Sequence, residues 1–421
     1  MSKRRAVLHI GAPKTGTTSI QEYLALNRET MQPLGFAFPQ APGKRTQARL
    51  AVTVAQAGKG ITAGLEQLRT GLDAELARLP ASVHTVIFSA EHLSAKIADE
   101  ADARRLREFL DTWFDRYRVI LYMRRQDELA ISGYSTRLRA GRSHENVLPT
   151  TEGVHARHDF LPILERYGAA FGRDALLPRI FARDAFKDGD LLSDFRDAAG
   201  LPALPNLPPK AMNTSINVAA QEFVRRLNAI HQDEGDGDHD KIPNQIRAIL
   251  NDHFSGQGRR PSQAEAVAYY AKYRESNETI RTSWFPERPT LFSEDFSRYP
   301  ESGDPLPTDA EVLEVAMTVI AEQSSGATQA KRLLRRAENA ARDGRKREAR
   351  RFLERALDAV PGDIDALARL VDLAEDPASR RAAARRLAAA EEAAPGDEAV
   401  TALSERLGTR EQGDARSKEE R

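Results

Sequence analysis

The chain has 421 residues, 41% of them hydrophobic, no cysteine, and 62 Lys and Arg balanced by 62 Asp and Glu. That length suits two or three soluble domains with sizeable cores. The missing cysteines exclude disulfide staples, thiolate metal sites, iron–sulfur clusters and a cysteine nucleophile. Zero net charge argues against a nucleic-acid partner held by bulk charge, while leaving room for a local basic pocket.

At the N-terminus Lys3, Arg4 and Arg5 precede an apolar run of only Ala6–Leu8, before His9 and the Gly11-Ala12-Pro13-Lys14 turn. A signal sequence needs roughly 7–15 apolar residues there, and no stretch approaches the ~18 uncharged apolar residues of a transmembrane span. The expected location is cytoplasmic, with peripheral membrane association left open.

The first three hundred residues alternate between short β-rich runs and helical patterns, which predicts an α/β fold: a parallel sheet flanked by helices. Candidate strands are Ala6–Ile10, Thr85–Ser89, Val119–Tyr122 and Leu176–Phe181. Such sheets bind ligands at the carboxyl ends of their strands, so chemistry is sought in the residues just beyond each strand.

The first candidate strand runs through His9-Ile10-Gly11-Ala12-Pro13-Lys14-Thr15-Gly16-Thr17-Thr18-Ser19-Ile20 into a glycine-bearing turn and a helix. Ile20, Tyr23 and Leu24 supply the apolar stripe of that helix, and Thr17 or Thr18 can cap its start. Exposed backbone N–H groups at a helix start form a phosphate cradle. A nucleotide triphosphatase loop, G-x-x-x-x-G-K-[ST], would put lysine at position 17, but Thr17 stands there and the loop's lysine is Lys14. A metal-dependent kinase or ATPase is therefore disfavoured, and a ligand with a shorter anionic tail is favoured.

After the second strand, Phe88-Ser89-Ala90-Glu91-His92-Leu93-Ser94 offers two proton acceptors, Glu91 and His92. After the third comes Arg124, with Ser132 eight residues further on in a helical pattern. An arginine fork and a hydroxyl can both donate to one phosphate. Farther on, His155 and His158 lack a third ligand and read as a surface helix or loop. The Asp233–Lys241 run imitates a calcium loop, but places Lys241 where glycine is needed and Arg247 where Glu is needed, so it reads as a solvated acidic loop. No metal site is expected.

Composition changes near residue 300. Residues 303–326 read as a linker with one helix over Asp309–Gln323. In residues 327–397, Ala349, Leu353, Ala356, Pro361, Gly362 and Asp363 recur 34 positions later as Ala383, Leu387, Ala390, Pro395, Gly396 and Asp397. That period resembles tetratricopeptide repeats: small residues let two helices approach closely, and proline ends the second. Two repeats are fewer than such arrays usually need, so this region is expected to lean on the preceding domain or a protein partner. A plain Ala/Arg-rich helical hairpin is the alternative. Residues 398–421 form a charged helical or frayed tail.

Pro13-Lys14-Thr15-Gly16-Thr17-Thr18-Ser19 resembles the 5′-phosphosulfate loop of sulfotransferases that use 3′-phosphoadenosine 5′-phosphosulfate (PAPS). That cosubstrate also carries a 3′-phosphate, held in the family by an Arg at a strand end and a Ser eight residues on; Arg124 and Ser132 match that spacing. In many relatives the residue after the arginine is Asn, and here it is Arg125. Asn213-Thr214-Ser215 and Phe292-Ser293-Glu294-Asp295-Phe296 also look like family features, without assigned roles. The resemblance covers about residues 5–300 and implies a sulfotransferase-like domain over 1–302.

The resemblance implies transfer of a sulfonate from PAPS to a hydroxyl or amine acceptor, with carbohydrates and glycolipids among the candidates, and no required metal. Lys14 would stabilise charge on the bridging oxygen, and Thr15, Gly16, Thr17 and Thr18 would hold the phosphate. Carbohydrate-directed members generally use Glu as the base and small-molecule members His, so the Ser-x-Glu-x-Leu pattern favours Glu91 over His92. Acceptor specificity is assigned to the loops around Leu138–Asp159 and Pro205–Asn217. Arg137, Arg139 and Arg142 either meet an anionic acceptor or form a solvated helix end. Two other readings stand beside this one: a P-loop kinase or hydrolase needing Mg²⁺ with ATP, and a non-catalytic nucleotide-binding scaffold whose helical tail binds a partner.

Overall fold

The computed structural model describes residues 4–150, 153–207, 215–233, 242–324 and 326–419. Five parallel strands, β1 (Arg4–His9), β2 (Phe36–Ala37), β3 (Thr85–Ser89), β4 (Phe114–Met123) and β5 (Leu176–Ile180), form one sheet in the order β2-β3-β1-β4-β5. β3 is buried along its whole length, as a strand covered on both faces must be. β4 begins at Phe114, ahead of its apolar run at Val119. Its first half carries Asp115, Arg116 and Arg118, yet Arg116 and Arg118 pair with Arg5 and Val7 of β1. The two residues of β2 are too few to show alternation.

The chain leaves β1 toward β3 on one side and returns across it to β4 on the other. Strand order therefore reverses about β1, the topological position at whose carboxyl end sheets of this kind bind ligands. Helices α1 (Thr17–Leu26) and α2 (Arg28–Met31) follow β1, and α3 (Ala48–Ala57) and α4 (Ala63–Ala77) lead to β3. α5 (His92–Lys96) and α6 (Glu100–Leu110) join β3 to β4, and α7 (Gln126–Arg139) and α8 (Leu161–Phe171) join β4 to β5. After β5 come α9 (Leu191–Ala199), α10 (Val218–Asp233), α11 (Asn244–His253), α12 (Gln263–Ala271) and α13 (Arg274–Trp284).

Alternation along the strands sends side chains to two cores. On one face Val7, Ile87, Ile120 and Tyr122 pack with Ile20, Tyr23 and Leu24 of α1 and Phe195 of α9. On the other, Ala6, Leu8, Val86, Phe88 and Leu121 meet Leu50 of α3, Leu68 of α4, Leu106 of α6 and Leu164 of α8. Leu24 is fully buried, which contributes about 1.5–3 kcal/mol, so this stripe fixes α1, and with it the turn before α1, against the sheet.

One sequence expectation changes here. His158 is not on the surface: it is 7% exposed, and its Nδ1 lies 2.7 Å from the Tyr269 hydroxyl, a buried polar pairing. The acidic Asp233–Lys241 run lies outside the described residues, apart from Asp233 at the end of α10.

By its contacts the chain divides into two compact units, Met1–Arg247 with Asn251–Thr308, and Asp309–Arg421 with Ala248–Leu250. Past Asp309 the second consists of α14 (Asp309–Ser324), α15 (Gly326–Arg342), α16 (Lys346–Ala359), α17 (Ile364–Asp372), α18 (Pro377–Ala393) and α19 (Glu398–Glu419). α15 and α16 are joined through Gly344, whose φ of 75° suits glycine. Ala349, Leu353 and Ala356 of α16 and their counterparts Ala383, Leu387 and Ala390 of α18 are all buried. The Pro-Gly-Asp after each of these helices ends in a cap: Asp363 accepts from Ala366 N (3.0 Å) at α17, and Asp397 from Ala399 N (2.9 Å) at α19. Pro377, a departure from the repeat, is the first residue of α18, where no N–H is needed, and Asp376 caps that helix. No helix among the described residues is long and apolar enough to cross a membrane.

Candidate active site

β1 stays attached to the sheet one residue past its end, where Ile10 N donates to Ile120 O at 3.0 Å. The chain then turns sharply. Lys14 (φ 62°) and Gly16 (φ 72°) both adopt the left-handed conformation, unusual for lysine. Such turns gather successive backbone N–H groups into an anion-binding concavity. Gly16 has a second reason to be glycine: a Cβ there would lie 2.2 Å from Leu191 Cδ2. The Thr15 hydroxyl donates to Ala12 O at 2.6 Å and closes the loop on itself.

Neither Thr17 nor Thr18 caps α1, contrary to expectation. Gly16 is the N-cap and no side chain bonds the first turn. Thr18 is exposed, whereas Thr17 turns inward and is buried, its Oγ1 without a hydrogen-bond partner among the described residues. The amide groups of that turn are left for a ligand, with the positive end of the helix dipole behind them.

His9, to which the sequence reading gave no role, lies beneath this turn at the last position of β1. It is fully buried, with Nδ1 2.8 Å from Ser89 Oγ and Nε2 unpartnered among the described residues. Burial pushes its pKa down to about 3, so the ring is neutral at ordinary pH. The available signal was a polar residue closing an otherwise apolar strand.

The end of β3 is fastened to the same loop. Ala90 N donates to His9 O at 3.1 Å, and Ser94 Oγ lies 2.9 Å from both Gly11 O and Glu91 O, donating to one at a time. Glu91 and His92 thus start α5 beside the turn. The Lys14 ammonium is held below its usual pKa, first by burial, then by Arg139, with Arg124 adding to the effect and Glu91 opposing it. Glu91 pairs with neither Arg124 nor Arg125. His92 Nδ1 is buried without a partner among the described residues.

Arg124 reaches back from β4 to the loop: its Nη1 donates to Lys14 O at 3.3 Å while Nε donates to Glu128 at 3.0 Å. Arg298 also holds Glu128, at 2.6 Å. Ser132, on α7, is half-buried, and no hydrogen bond joins it to Arg124. Arg125 points elsewhere. Only 6% of its side chain is exposed; it forks onto Asp127 at 2.8 and 2.9 Å, donates to Ser293 O and Asp295 O at 2.8 and 2.7 Å, and lies over the Phe296 ring. The Phe292–Phe296 segment acquires a role from this: it is strapped to the end of β4.

No family model matches the chain, and no curated protein matches it. Among solved structures, a sulfotransferase from Alicyclobacillus acidocaldarius aligns over 50% of this chain and 86% of its own, at 15% identity and a TM-score of 0.32. That degree of likeness carries no functional argument, so function rests on the geometry of the site. Arg124 is bonded to the backbone of Lys14 beside the uncapped start of α1, a set of donors suited to a ligand bearing more than one anionic group.

Proposed function

We propose that the α/β unit is a sulfotransferase that uses PAPS and transfers its sulfonate to a hydroxyl or amine acceptor. The observation that carries this reading is the hydrogen bond from Arg124 to Lys14 O, which ties the two phosphate motifs together across adjacent strands. The donor set fits the cosubstrate. The uncapped α1 turn and Lys14 suit the 5′-phosphosulfate, and Arg124, with Ser132 on the following helix, suits the 3′-phosphate.

In this reading the amide groups of Thr15 to Thr18 hold the 5′-phosphate, and Lys14 neutralises charge that builds on the oxygen bridging phosphorus and sulfur. Glu91 takes the acceptor proton as the acceptor oxygen bonds to sulfur and the bridging S–O bond breaks. Adenosine 3′,5′-bisphosphate then leaves with that electron pair. Glu91 is free for this work because Arg124 and Arg125 are engaged by Glu128 and Asp127; His92 is the alternative base. Residues 327–397 are read as two tetratricopeptide-like repeats that offer a surface to a protein partner.

Isothermal titration of the full chain with adenosine 3′,5′-bisphosphate and with ADP tests the assignment. Tight binding of the bisphosphate and weak binding of ADP are expected. ADP binding without bisphosphate binding overturns the assignment.

A further inference from the structure

His9 is a buried polar group at the loop that the proposed reaction leaves unused. It stands in register with Ser89 across β1 and β3. Its ring is lodged against two aromatic rings, edge-on to Tyr122 (centroids 5.8 Å apart) and tilted toward Phe195 (5.4 Å). The packing fixes its orientation. Thr17 Oγ1 is likewise buried and unpartnered among the described residues. Both groups border the space that a Cβ on Gly11 would fill: it would lie 2.5 Å from Thr17 Oγ1 and 3.4 Å from His9 Cε1. Buried unpaired polar atoms are costly, and two gathered on the same open face of one glycine in this loop point to a shared task.

Proton accounting sets the direction of this pair. Ser89 Oγ bonds no group other than His9 among the described residues, so its single proton is used if it donates to Nδ1. Nε2 then carries the ring proton. A neutral ring is also what the positive end of α1 favours.

We propose that His9 is a positioning residue of the phosphate loop: with an anion at the start of α1, its Nε2–H donates to Thr17 Oγ1 and aims the Thr17 hydroxyl proton at that anion. The proposal rests on the reading that this loop holds the 5′ end of a bisphosphate ligand. Ser89, His9 and Thr17 each pass one hydrogen bond forward, and each polarises the next. No proton is transferred, so the chain strengthens anion binding and does not act as a base.

The test is titration of the full chain with adenosine 3′,5′-bisphosphate, using His9→Gln, His9→Asn, His9→Leu, Thr17→Val and the Thr17→Val/His9→Leu double variant. The glutamine amide places a donor near the Nε2 position, whereas asparagine places one near Nδ1. His9→Gln is expected to stay within about threefold of the wild-type Kd, while His9→Asn, His9→Leu and Thr17→Val each weaken binding about tenfold, the size of one hydrogen bond. The double variant is expected to bind no more weakly than Thr17→Val alone. A residue that merely fills the core would not separate glutamine from asparagine. Equal losses from His9→Leu with and without Thr17, or better binding by His9→Asn than by His9→Gln, overturn the proposal.

Nitrogen NMR of His9 in the ligand-free wild-type chain at pH 7 is a second measurement that needs no variant and no ligand. The Nε2–H tautomer is expected; an Nδ1–H tautomer or an imidazolium overturns the proposal. If the wild-type chain fails to bind the bisphosphate, the sulfotransferase reading falls. The His9 proposal is then decided by the tautomer and by the same variants titrated with inorganic sulfate.

Discussion

Replacing Arg125 with alanine is expected to destabilise the α/β unit by about 3–5 kcal/mol, the range for removing one partner of a buried ion pair. The change deletes two bonds to Asp127, two to the carbonyls of Ser293 and Asp295, and the stacking on Phe296. It leaves Asp127, which is fully buried, with the Tyr299 hydroxyl at 2.5 Å against its charge. Arg124, one residue earlier, should behave differently. Its ion pair with Glu128 is about a fifth exposed on each side, so Arg124→Ala should cost at most about 1 kcal/mol of stability. That variant should instead weaken adenosine 3′,5′-bisphosphate binding by roughly 10–100-fold, the value of hydrogen bonds to a charged group. The two tryptophans of the chain, Trp113 and Trp284, both lie in the α/β unit. Urea unfolding followed by tryptophan fluorescence therefore reports on that unit alone, and titration calorimetry supplies the binding half. An Arg125→Ala variant within 1 kcal/mol of wild type, or an Arg124→Ala variant that unfolds as readily as Arg125→Ala, would refute the division of labour.

Lys14→Met should lower kcat by about 10²–10³ in a sulfonate-transfer assay; unchanged turnover removes Lys14 from the reaction. Glu91→Gln should lower turnover by about 10²–10⁴ while His92→Ala leaves most of it, and the reverse pattern makes His92 the base. His9 and His158 are buried, with pKa values pushed down to about 3 from 6.5. Below pH 6.5 the unfolded chain therefore binds protons that the folded chain refuses. Stability is full above that pH and falls on acidification toward pH 3, by about 1.4 kcal/mol per pH unit for each group. Urea midpoints between pH 6 and pH 4.5 should show a shallower decline in His9→Gln, and an unchanged slope contradicts the buried neutral ring. In the helical unit, Leu353→Ala and Leu387→Ala should each cost about 2–5 kcal/mol; circular dichroism melts that differ sharply between them would mean the two periods are not packed alike.

Much of the α/β unit was legible because its strands are short apolar runs that end in chemistry. β1, β3 and β5 begin and end within a residue or two of the predicted runs. The front half of β4 was hidden by charged residues that pair with β1, and β2 by its brevity. Within the site, Lys14, Glu91 and Arg124 could be singled out because each lies just beyond a strand. The start of α1 could not be read correctly: residue type offers Thr17 or Thr18 as a cap, but backbone geometry gives that place to Gly16 and sends Thr17 inward. The part played by Arg125 depends on carbonyls 168 and 170 residues away, a pairing that no local pattern encodes. His9 was passed over for a related reason, since its partner Ser89 comes from another strand and is revealed only by the register of β1 and β3.

The twice-used Pro-Gly-Asp joint bears on how this chain can change length. Residues 362–395 span one full period of 34. Their removal would join Pro361 to Gly396 and regenerate Pro-Gly-Asp, with α16 running into α19 where it now runs into α17. The break falls between helices, and the capping aspartate, now Asp397, keeps its place at the start of the next one. A duplication at the same point would insert another copy of the joint and a further helix pair. Loss or gain of one 34-residue period thus leaves the Pro-Gly-Asp joint unchanged in sequence, whereas the end of β4 is tied through Arg125 to carbonyls 168 and 170 residues away.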